Sequence, residues 1–410
     1  MTAVDDAGGR AARAAARLVE RARSGGRSAP LDTEQITERL GLAVDRVMGE
    51  GGLWAPRLAA RAIRQSGGDL PEAAHLLRAH RTALPRLGVT PPVPTGELRV
   101  VRRISSAFRN PPGGQVLGRT LDYVGRLLDL LPEDEGRARS TAPGPDDDGD
   151  GPAAGPRPHA HEHPTGTPHT HEHPPGTPHT HEHPTGTPHP GTPHPHEAPP
   201  PAADGVERTP AHVLSVFREM GVVAPPSGAG DPEPYDVTRH PVRPGAPRSA
   251  WLQTMARADT GSLLHLWYGS DWRPAGHEVP GELRHGALPV RMTHPVTGRP
   301  VTVGQVRVSE VQTFHSLPRA GELPMTLDVG YGICFGHNER KAISMAGLDL
   351  LLSHHEGAAD LQHDVLLTLD GLDSTGYVQR LKLPRHVEFT SVLERARAAR
   401  GDAPHTGDTA

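Results

Sequence analysis

The stretch Tyr331–Leu352, YGICFGHNERKAISMAGLDLLL, contains the change of pattern on which the predicted fold depends. It opens as a short apolar segment interrupted by Gly332 and Gly336, which is typical of a strand and a turn. From Glu339 onward the apolar residues recur every three or four positions, which predicts a helix. Asn338 suits the N-cap, and the carboxylate of Glu339 complements the positive end of the helix dipole. The sequence therefore predicts a strand, a glycine turn and a helix in direct succession.

A helix start after a glycine turn presents backbone N–H groups that can bind an anion. Arg340 and Lys341 add positive charge there, and we expect a solvated Lys341 to contact a phosphate or phosphonate oxygen. The alternative is an ordinary corner with solvated charges, because glycines near a helix start are a weak signal. Lys341 and Lys382 are the only lysines among 43 basic residues. That favours positions which need a compact ammonium group, although chance explains two lysines equally well.

The composition predicts two folded regions separated by a polar segment. The 410 residues are enough for two domains, but hydrophobic residues make up only 35% and aromatic residues 3%. Residues 1–140 contain 22 Arg and 16 Asp plus Glu, a charge of +6, whereas the whole chain carries −5, so the remainder carries −11. A basic N-terminal part favours an anionic ligand, and no nucleic-acid-binding motif accompanies it.

Targeting and redox signals point to the cytoplasm. Cys334 is the only cysteine, so no internal disulfide can form. Residues 1–30 lack the apolar core of a signal peptide, and no apolar run of about 18 residues predicts a membrane span. We therefore expect a cytoplasmic protein with neither a membrane nor a nucleic-acid partner.

Residues 1–140 are predicted to form a mostly helical domain. Asp32 and Gln35 resemble a capping box, and Pro71 suits the first turn of a later helix. A loop containing Gly113, Gly114 and Gln115 is a second candidate anion cradle. It lacks the Walker spacing, so a plain turn is the alternative. Helices are expected at residues 7–24, 32–48, 54–63, 69–84 and 116–130, and a strand at residues 97–105.

Residues 141–206 are predicted to be a disordered insertion. The unit HEHPTGTPHT recurs with a period of ten, and 12 of the 27 histidines fall between His159 and His196. Pro, Gly and Thr cannot build a core here. Imidazole clusters can bind Zn²⁺, Ni²⁺ or Cu²⁺ weakly, but a neutral expanded repeat is the alternative. The candidate metal ligands are His161, His163, His171, His173, His181 and His183.

Residues 207–400 are predicted to form a mixed α/β domain, followed by a disordered tail at residues 401–410. The whole pattern indicates an α+β fold in which a helical N-terminal domain precedes a domain with an antiparallel sheet. Helices are expected at residues 210–220, 251–258, 339–352 and 391–400, strands at residues 301–311, 325–335 and 364–369, and a buried strand or helix at residues 262–268.

Four motifs, in this order, resemble one family. They are LAVDRVMGEGGL (42–53), RRISSAFRNPPGGQVLGRTLDY (102–123), GYGICFGHNERKAISMA (330–346) and GYVQRLKLP (376–384). They are similar to the I subunit of the carbon–phosphorus lyase core complex of bacterial phosphonate degradation. The resemblance spans residues of about 10–135 and 207–395 and excludes the histidine-rich insertion.

The resemblance implies an activity. Such a subunit, with companion subunits G, H, J and K or L, displaces adenine from ATP with a phosphonate, and alone it acts as a purine nucleosidase. That chemistry needs a carboxylate near the ribose, a proton donor for the base and cations for the anionic groups. ATP would be the substrate, with Mg²⁺. The matched carboxylates are Asp45, Glu50, Asp122 and Glu339. The matched ligand-binding residues are Arg46, Arg102, Arg103, Gly113, Gly114, Gln115, Arg340, Lys341 and Lys382.

Each of these residues has a structural salt bridge or a turn as its alternative role. The resemblance also implies a zinc site at histidines flanking LKLP. Arg380 and Arg385 stand at those positions here, and arginine is not a usual metal ligand, so that site is in doubt. The competing function is a non-catalytic scaffold or a metal-handling protein that acts through the histidine tract.

Overall fold

The computed structural model describes residues 2–26, 28–128, 130–132, 212–223, 233–269, 280–315, 327–354, 358–374 and 392–401. The chain divides into two units, residues 1–121 with 207–410, and residues 122–206. The first unit contains helices and a four-stranded antiparallel sheet, which confirms the α+β class.

The described helices are numbered here in chain order. The helices are α1 (Thr2–Ser24), α2 (Thr33–Arg39), α3 (Gly41–Gly51), α4 (Pro56–Gln65), α5 (Leu70–Ala83), α6 (Val213–Glu219), α7 (Arg248–Arg257), α8 (Thr260–Gly269), α9 (Glu339–His354), α10 (Ala358–His363), α11 (Gly371–Ser374) and α12 (Val392–Arg400). The strands are β1 (Arg99–Ile104), β2 (Pro280–Thr293), β3 (Pro300–His315) and β4 (Asp328–Phe335).

Helices α2 to α5 form a compact cluster near the N-terminus. The capping box of Asp32 and Gln35 is confirmed at the start of α2. The predicted single helix over residues 32–48 is wrong, because Leu40 leaves helical geometry (φ −114°, ψ 36°) and separates α2 from α3. The break lets two short helices bury apolar residues in one core. That core contains Ile36, Val44, Val47, Met48, Ala59, Ala60, Ala62, Ile63, Ala73 and Leu77.

The sheet has the order β1-β2-β3-β4, and every neighbouring pair is antiparallel. Strand β1 comes from the N-terminal part of the chain and pairs with β2, so that part contributes an edge strand to the sheet. Strands β1, β3 and β4 confirm predicted strands within a few residues, whereas β2 corresponds to no predicted element. The antiparallel ladder brings residues far apart in sequence into register, such as Arg284 opposite Glu310.

The predicted succession of strand, turn and helix is confirmed, and helix α9 packs directly on β4. A Cβ at Gly330 would lie 2.0 Å from the carbonyl oxygen of Ala346, and one at Gly332 would lie 2.2 Å from that of Ala342. The two glycines therefore let the helix backbone approach the strand. The core between them and the neighbouring helices includes Leu283, Val311, Cys334, Met345, Ala346, Leu348 and Leu351.

The helix predicted at residues 116–130 is wrong. Val116 instead forms an antiparallel bridge with Arg103, and both backbone N–H groups donate, at 2.7 and 2.8 Å. Gly118 adopts φ 63°, and a Cβ there would lie 2.6 Å from a backbone oxygen of β1. The bridge and the close approach are incompatible with the predicted helix. A short helix needs a packed apolar face to be stable, and the large apolar side chains of this segment are exposed instead. These exposed residues are Leu117, Leu121, Val124, Leu127, Leu128 and Leu130.

The strand predicted at residues 364–369 is also wrong, because Asp364–Thr368 forms a π-helical turn that continues α10. Val365 and Leu366 are buried in the core, and a short apolar run does not distinguish a buried strand from a buried helix. The segment at residues 262–268, left open between strand and helix, lies in α8.

Other predictions are not decided by the fold. The histidine-rich insertion and the motif at residues 376–384 lie outside the described residues. The domain boundaries at residues 140 and 206 stay predictions. Among the helices of the described residues, none is both long enough and apolar enough to cross a membrane.

Candidate functional site

The turn between β4 and α9 is held against α3 by Asp45. The Oδ2 atom of Asp45 accepts a hydrogen bond from the backbone N–H of His337 at 2.9 Å, and Oδ1 accepts one from Arg307 at 3.1 Å. Asn338 precedes α9 as predicted, and its amide donates to the carbonyl oxygen of Asp45 at 3.0 Å. Gly336 adopts φ 74°, and a Cβ there would lie 2.5 Å from the Cβ of Asp45. Gly336 therefore allows α3 to pack closely against the turn. The catalytic role of Asp45 stays a prediction.

Glu50 is buried at the end of α3 and connects it to α8. Its Oε1 atom accepts hydrogen bonds from the backbone N–H of Thr260 at 3.0 Å, the Thr260 hydroxyl at 2.8 Å and Arg46 Nε at 2.9 Å. Arg46 also donates to Asp259 at 3.1 Å. Burial raises the pKa of Asp259, but hydrogen bonds from Ser262 and the charge of Arg46 outweigh it, so the pKa lies below its ordinary value. Asp259 also lines an open pocket of about 610 Å³ beside this cluster.

Lys341 is buried, so the prediction of a solvated side chain is wrong. Only 1% of the residue is exposed, and Nζ donates to the carbonyl oxygen of Ala258 at 2.7 Å. Burial lowers the pKa of Lys341, while the nearby carboxylates of Glu50 and Asp370 act in the opposite direction. The helix start thus directs this ammonium group inward, where it joins α9 to the end of α7. Its binding of an anionic oxygen stays a prediction.

Arg102 and Glu339 form an ion pair that joins β1 to the start of α9. Arg102 Nε lies 2.7 Å from Glu339 Oε1, and the same oxygen lies 3.1 Å from His337 Nε2. Burial raises the pKa of Glu339, but the hydrogen bonds from His337 and Arg102 outweigh it and lower the pKa overall. Two motifs that lie more than 200 residues apart therefore meet at this turn.

His337 stacks on His285, a residue of β2 that the sequence analysis did not identify. The ring centroids are 4.5 Å apart with an interplanar angle of 17°. His285 Nδ1 lies 3.3 Å from the hydroxyl of Ser309, which in turn donates to the carbonyl oxygen of Gly336 at 2.9 Å. Burial, reinforced by the charge of His337, lowers the pKa of His285 to about 4. His285 is therefore a neutral ring at physiological pH.

Arg103 follows Arg102 directly but contacts a different carboxylate. Its Nε donates to Glu282 Oε1 at 2.7 Å, and both side chains are almost completely buried. Its Nη1 donates to the carbonyl oxygens of Pro112 and Gly114, each at 2.7 Å. Arg103 therefore joins its own strand, β1, to β2 and to the glycine loop, which is a structural role.

The glycine loop is fixed against the end of β1. Gly113 and Gly114 adopt φ 81° and 76°, the left-handed region that favours glycine. The Gly114 N–H donates to the carbonyl oxygen of Pro111 at 2.8 Å. The Gln115 side chain donates to and accepts from the backbone of Ser105, both at 2.9 Å. These contacts are those of a turn, and phosphate binding by the loop amides stays a prediction.

The remaining candidates are in different surroundings. Arg340 is exposed on α9, and its guanidinium makes no ion pair within the described residues. Asp122 belongs to the second unit, where Arg126 lies 3.7 Å from it. Lys382 and all six candidate metal ligands of the insertion lie outside the described residues.

The family's zinc site is not supported by its donor set. Arg380 and Arg385, which stand at the positions of the implied histidines, lie outside the described residues, and guanidinium groups do not fit zinc. Among the described residues, no group of three His, Cys, Asp or Glu side chains could hold a metal ion. We therefore assign no chemical step to zinc.

The cluster around the β4–α9 turn can supply charge and aromatic surface. The Arg307 guanidinium, half exposed, lies 5.5 Å from the ring centroid of Trp54, and such a pair can face a charged or planar ligand. His212, Glu282 and His285 belong to no sequence motif that signals function. Only their positions in the folded chain relate them to Arg102 and Arg103.

Comparisons with known proteins agree along nearly the whole chain. The model of the family described as "Bacterial phosphonate metabolism protein (PhnI)" matches residues 2–403. "Putative C-P lyase subunit protein HtxH" of Stutzerimonas stutzeri is 37% identical over 408 residues, which cover 97% of this chain and 95% of that protein.

Two further relatives carry the name "Alpha-D-ribose 1-methylphosphonate 5-triphosphate synthase subunit PhnI". The protein from Rhizobium meliloti (strain 1021) is 34% identical over 410 residues, covering 96% of this chain and 93% of the relative. The protein from Escherichia coli (strain K12) is 33% identical over 407 residues, covering 97% of this chain and 98% of the relative.

Proposed function

The chain belongs to the PhnI family of bacterial phosphonate metabolism proteins, and from that premise we propose that it is a ribosyl-transfer subunit of a carbon–phosphorus lyase core complex. It displaces adenine from ATP with a phosphonate to form a ribose 1-phosphonate 5-triphosphate. Alone, it acts as a purine nucleosidase with water as the nucleophile. ATP is bound with Mg²⁺, and the complex is cytoplasmic.

One structural observation carries this proposal: three motifs distant in sequence converge on the β4–α9 turn. Asp45 contacts the turn from α3, Arg102 contacts it from β1, and Glu339 begins α9. A site that breaks an N-glycosidic bond needs carboxylates beside cations in partly dry surroundings. The Asp45, Arg102 and Glu339 side chains are all at least largely buried. We propose that this cluster supports the ribose and triphosphate, with Arg46 and Arg340 as the more exposed cations.

The partners are the companion subunits of such a complex, which the resemblance gives as G, H, J and K or L. We propose that they complete the site, because Asp45, Glu50 and Arg103 are already bound to other groups of this chain. Ligand contacts must then come in part from other polypeptides or from the exposed cations.

The decisive experiment measures adenine release from ATP. The chain is purified with its companion subunits and assayed with and without methylphosphonate, and companion subunits without this chain are the control. Release that depends on this chain and rises with methylphosphonate is the expected result. A folded, assembled complex that releases no adenine with any phosphonate tested would exclude the enzyme function and favour a scaffold or a metal-handling role.

The metal-handling alternative has its own test. If the histidine tract buffers metal, calorimetry should detect several weak Zn²⁺ or Ni²⁺ sites that disappear when residues 145–203 are deleted. Such sites would be compatible with ribosyl transfer by the rest of the chain.

A further inference from the structure

Arg307 of β3 lies on the same face of the sheet as the cluster at the β4–α9 turn. Residues two apart along a strand share a face, so Arg307 shares one with Ser309. Ser309 lies opposite His285, which in turn lies opposite Arg102. The carbonyl oxygen of Arg307 also accepts the N–H of Gly336 in the turn, at 2.8 Å. The strand register therefore brings Arg307 to the cluster that we propose supports the ribose.

The Arg307 guanidinium contacts both a carboxylate of this cluster and an aromatic ring. Its Nη2 atom donates to Asp45 Oδ1 at 3.1 Å, and its Cζ atom lies 5.5 Å from the ring centroid of Trp54. Trp54 lies in the loop between α3 and α4, and its ring centroid is 6.1 Å from that of Phe335. The guanidinium is therefore held beside the turn by contacts with two side chains from the α3–α4 region.

Half of the Arg307 side chain remains accessible, which distinguishes it from Arg46 and Arg102. The exposed fraction is 50% for the side chain of Arg307, 34% for Arg46 and 5% for Arg102. Arg46 is also shared between two carboxylates. Within the described residues, the one ion pair of Arg307 is with Asp45. Arg307 therefore has guanidinium surface left for a ligand.

The surroundings of this guanidinium favour the base over the phosphates as its ligand. An arginine guanidinium is planar and permanently charged, and it stacks on aromatic rings. The Asp45 carboxylate beside it repels a triphosphate but not a neutral adenine. A base that departs with the electron pair of its C–N bond gains negative charge, which a fixed positive charge beside it stabilises.

We propose that Arg307 binds the adenine and stabilises the negative charge that the base gains on departure, an inference that rests on the proposed function. The glycosidic C–N bond breaks, and its electron pair goes to the ring nitrogen of the base. A phosphonate oxygen forms the new bond to the sugar carbon, and the departing nitrogen takes a proton from water. Arg307 itself transfers no proton. Trp54 and Asp45 are positioning residues for its guanidinium.

The experiment measures binding of two separate probes, adenine and inorganic triphosphate, to the assembled complex by equilibrium dialysis. Arg307→Gln removes the charge, and Arg307→Lys keeps the charge but not the planar group. Arg299 is an exposed arginine in the turn between β2 and β3, and Arg299→Gln is the matched control. Arg307→Gln should weaken adenine binding about 2- to 30-fold, the range that a cation–π contact gives, and leave triphosphate binding unchanged. Arg307→Lys should recover only part of the adenine affinity, and Arg299→Gln should match wild type with both probes.

Adenine release from ATP provides the second readout. Removing one fixed donor from a buried site of developing negative charge costs about 10²–10³-fold in kcat. Arg307 is half exposed, and water weakens its electrostatic effect, so Arg307→Gln should lower kcat by about 10- to 100-fold. Arg307→Lys should recover part of the rate because the positive charge remains. Each complex is checked for assembly and melting temperature.

The two probes separate the inference from its rivals. Weaker triphosphate binding with unchanged adenine binding in Arg307→Gln would assign Arg307 to the anionic groups and overturn the inference. An equal loss of both probes would assign it a structural role, and a wild-type complex that binds no adenine would also overturn the inference. If Arg307→Gln does not assemble, Arg307→Lys decides by the same comparison, because it keeps a positive charge beside Asp45. Adenine binding that depends on Arg307, in a complex that releases no adenine from ATP, would overturn the proposed function and leave the adenine site intact.

Discussion

Replacing His285 by Asn should make the free energy of unfolding less dependent on pH. In the folded chain, burial first and the charge of His337 second lower the pKa of His285 from 6.5 to about 4. Between these two values the unfolded chain binds a proton that the folded chain does not. This contribution to stability is therefore fully present above pH 6.5 and is lost as the pH falls toward 4.

The size of the effect follows from the pKa difference. At about pH 5 the solution is about 1.5 units below the unfolded pKa, and one unit corresponds to about 1.36 kcal/mol. Wild type should therefore lose about 2 kcal/mol of unfolding free energy at this residue between about pH 7.5 and about pH 5. The Asn variant should lack this loss. It should show instead a pH-independent loss of about 0.5–1.5 kcal/mol from the missing ring stack.

Urea denaturation at the two pH values measures both terms. Subtracting the variant from wild type cancels the titrating groups that do not interact with His285, and His240→Asn controls for removal of an exposed histidine. An identical pH dependence in wild type and His285→Asn would refute the reasoning, because it would mean that the folded chain protonates His285 as readily as the unfolded chain does.

Three further predictions concern packing, the buried ion pair and the insertion. Gly332→Ala would place a Cβ 2.2 Å from a backbone oxygen of α9 and should cost about 1–3 kcal/mol or more, whereas Gly304→Ala meets no atom within 4 Å; calorimetric melting curves compare them. Arg103→Met should cost about 3–5 kcal/mol because it removes the arginine partner of the buried Glu282 carboxylate, and urea denaturation should show a smaller loss when Glu282→Leu is added. Deletion of residues 145–203 should leave complex assembly and adenine release unchanged, as measured by gel filtration and the adenine assay, and loss of soluble complex would contradict it.

The best-predicted part of the fold is the part with the clearest local signal. The glycines of β4 and the three- and four-residue spacing after Glu339 belong to consecutive residues, so their meaning does not depend on distant partners. The capping box of Asp32 and Gln35 is equally local. In each case the physical cause lies within about one helical turn of the residues that reveal it.

The elements that were missed depend on contacts between distant residues. Strand β2 buries Glu282 and Arg284, and a strand with buried charges does not show the alternation of apolar and polar residues that indicates a half-buried strand. Its charges are tolerated because Arg103 and Glu310, on the two neighbouring strands, form ion pairs with Glu282 and Arg284. Those partners are known only after the strands are paired.

In the candidate site, too, the sequence predicts which residue types are present but not which contacts they make in the folded chain. Asp45, Glu50 and Arg103 have the chemistry that ribosyl transfer requires, yet each is bound to a partner within the chain. A buried charge that loses its partner is costly, so these residues must hold the elements together before they can do anything else. Arg307 belongs to no motif, but the folded chain holds it beside Asp45 and leaves half of its side chain exposed. In this protein, the hydrogen bonds and ion pairs that a side chain already makes indicate better than its residue type whether it can take part in chemistry.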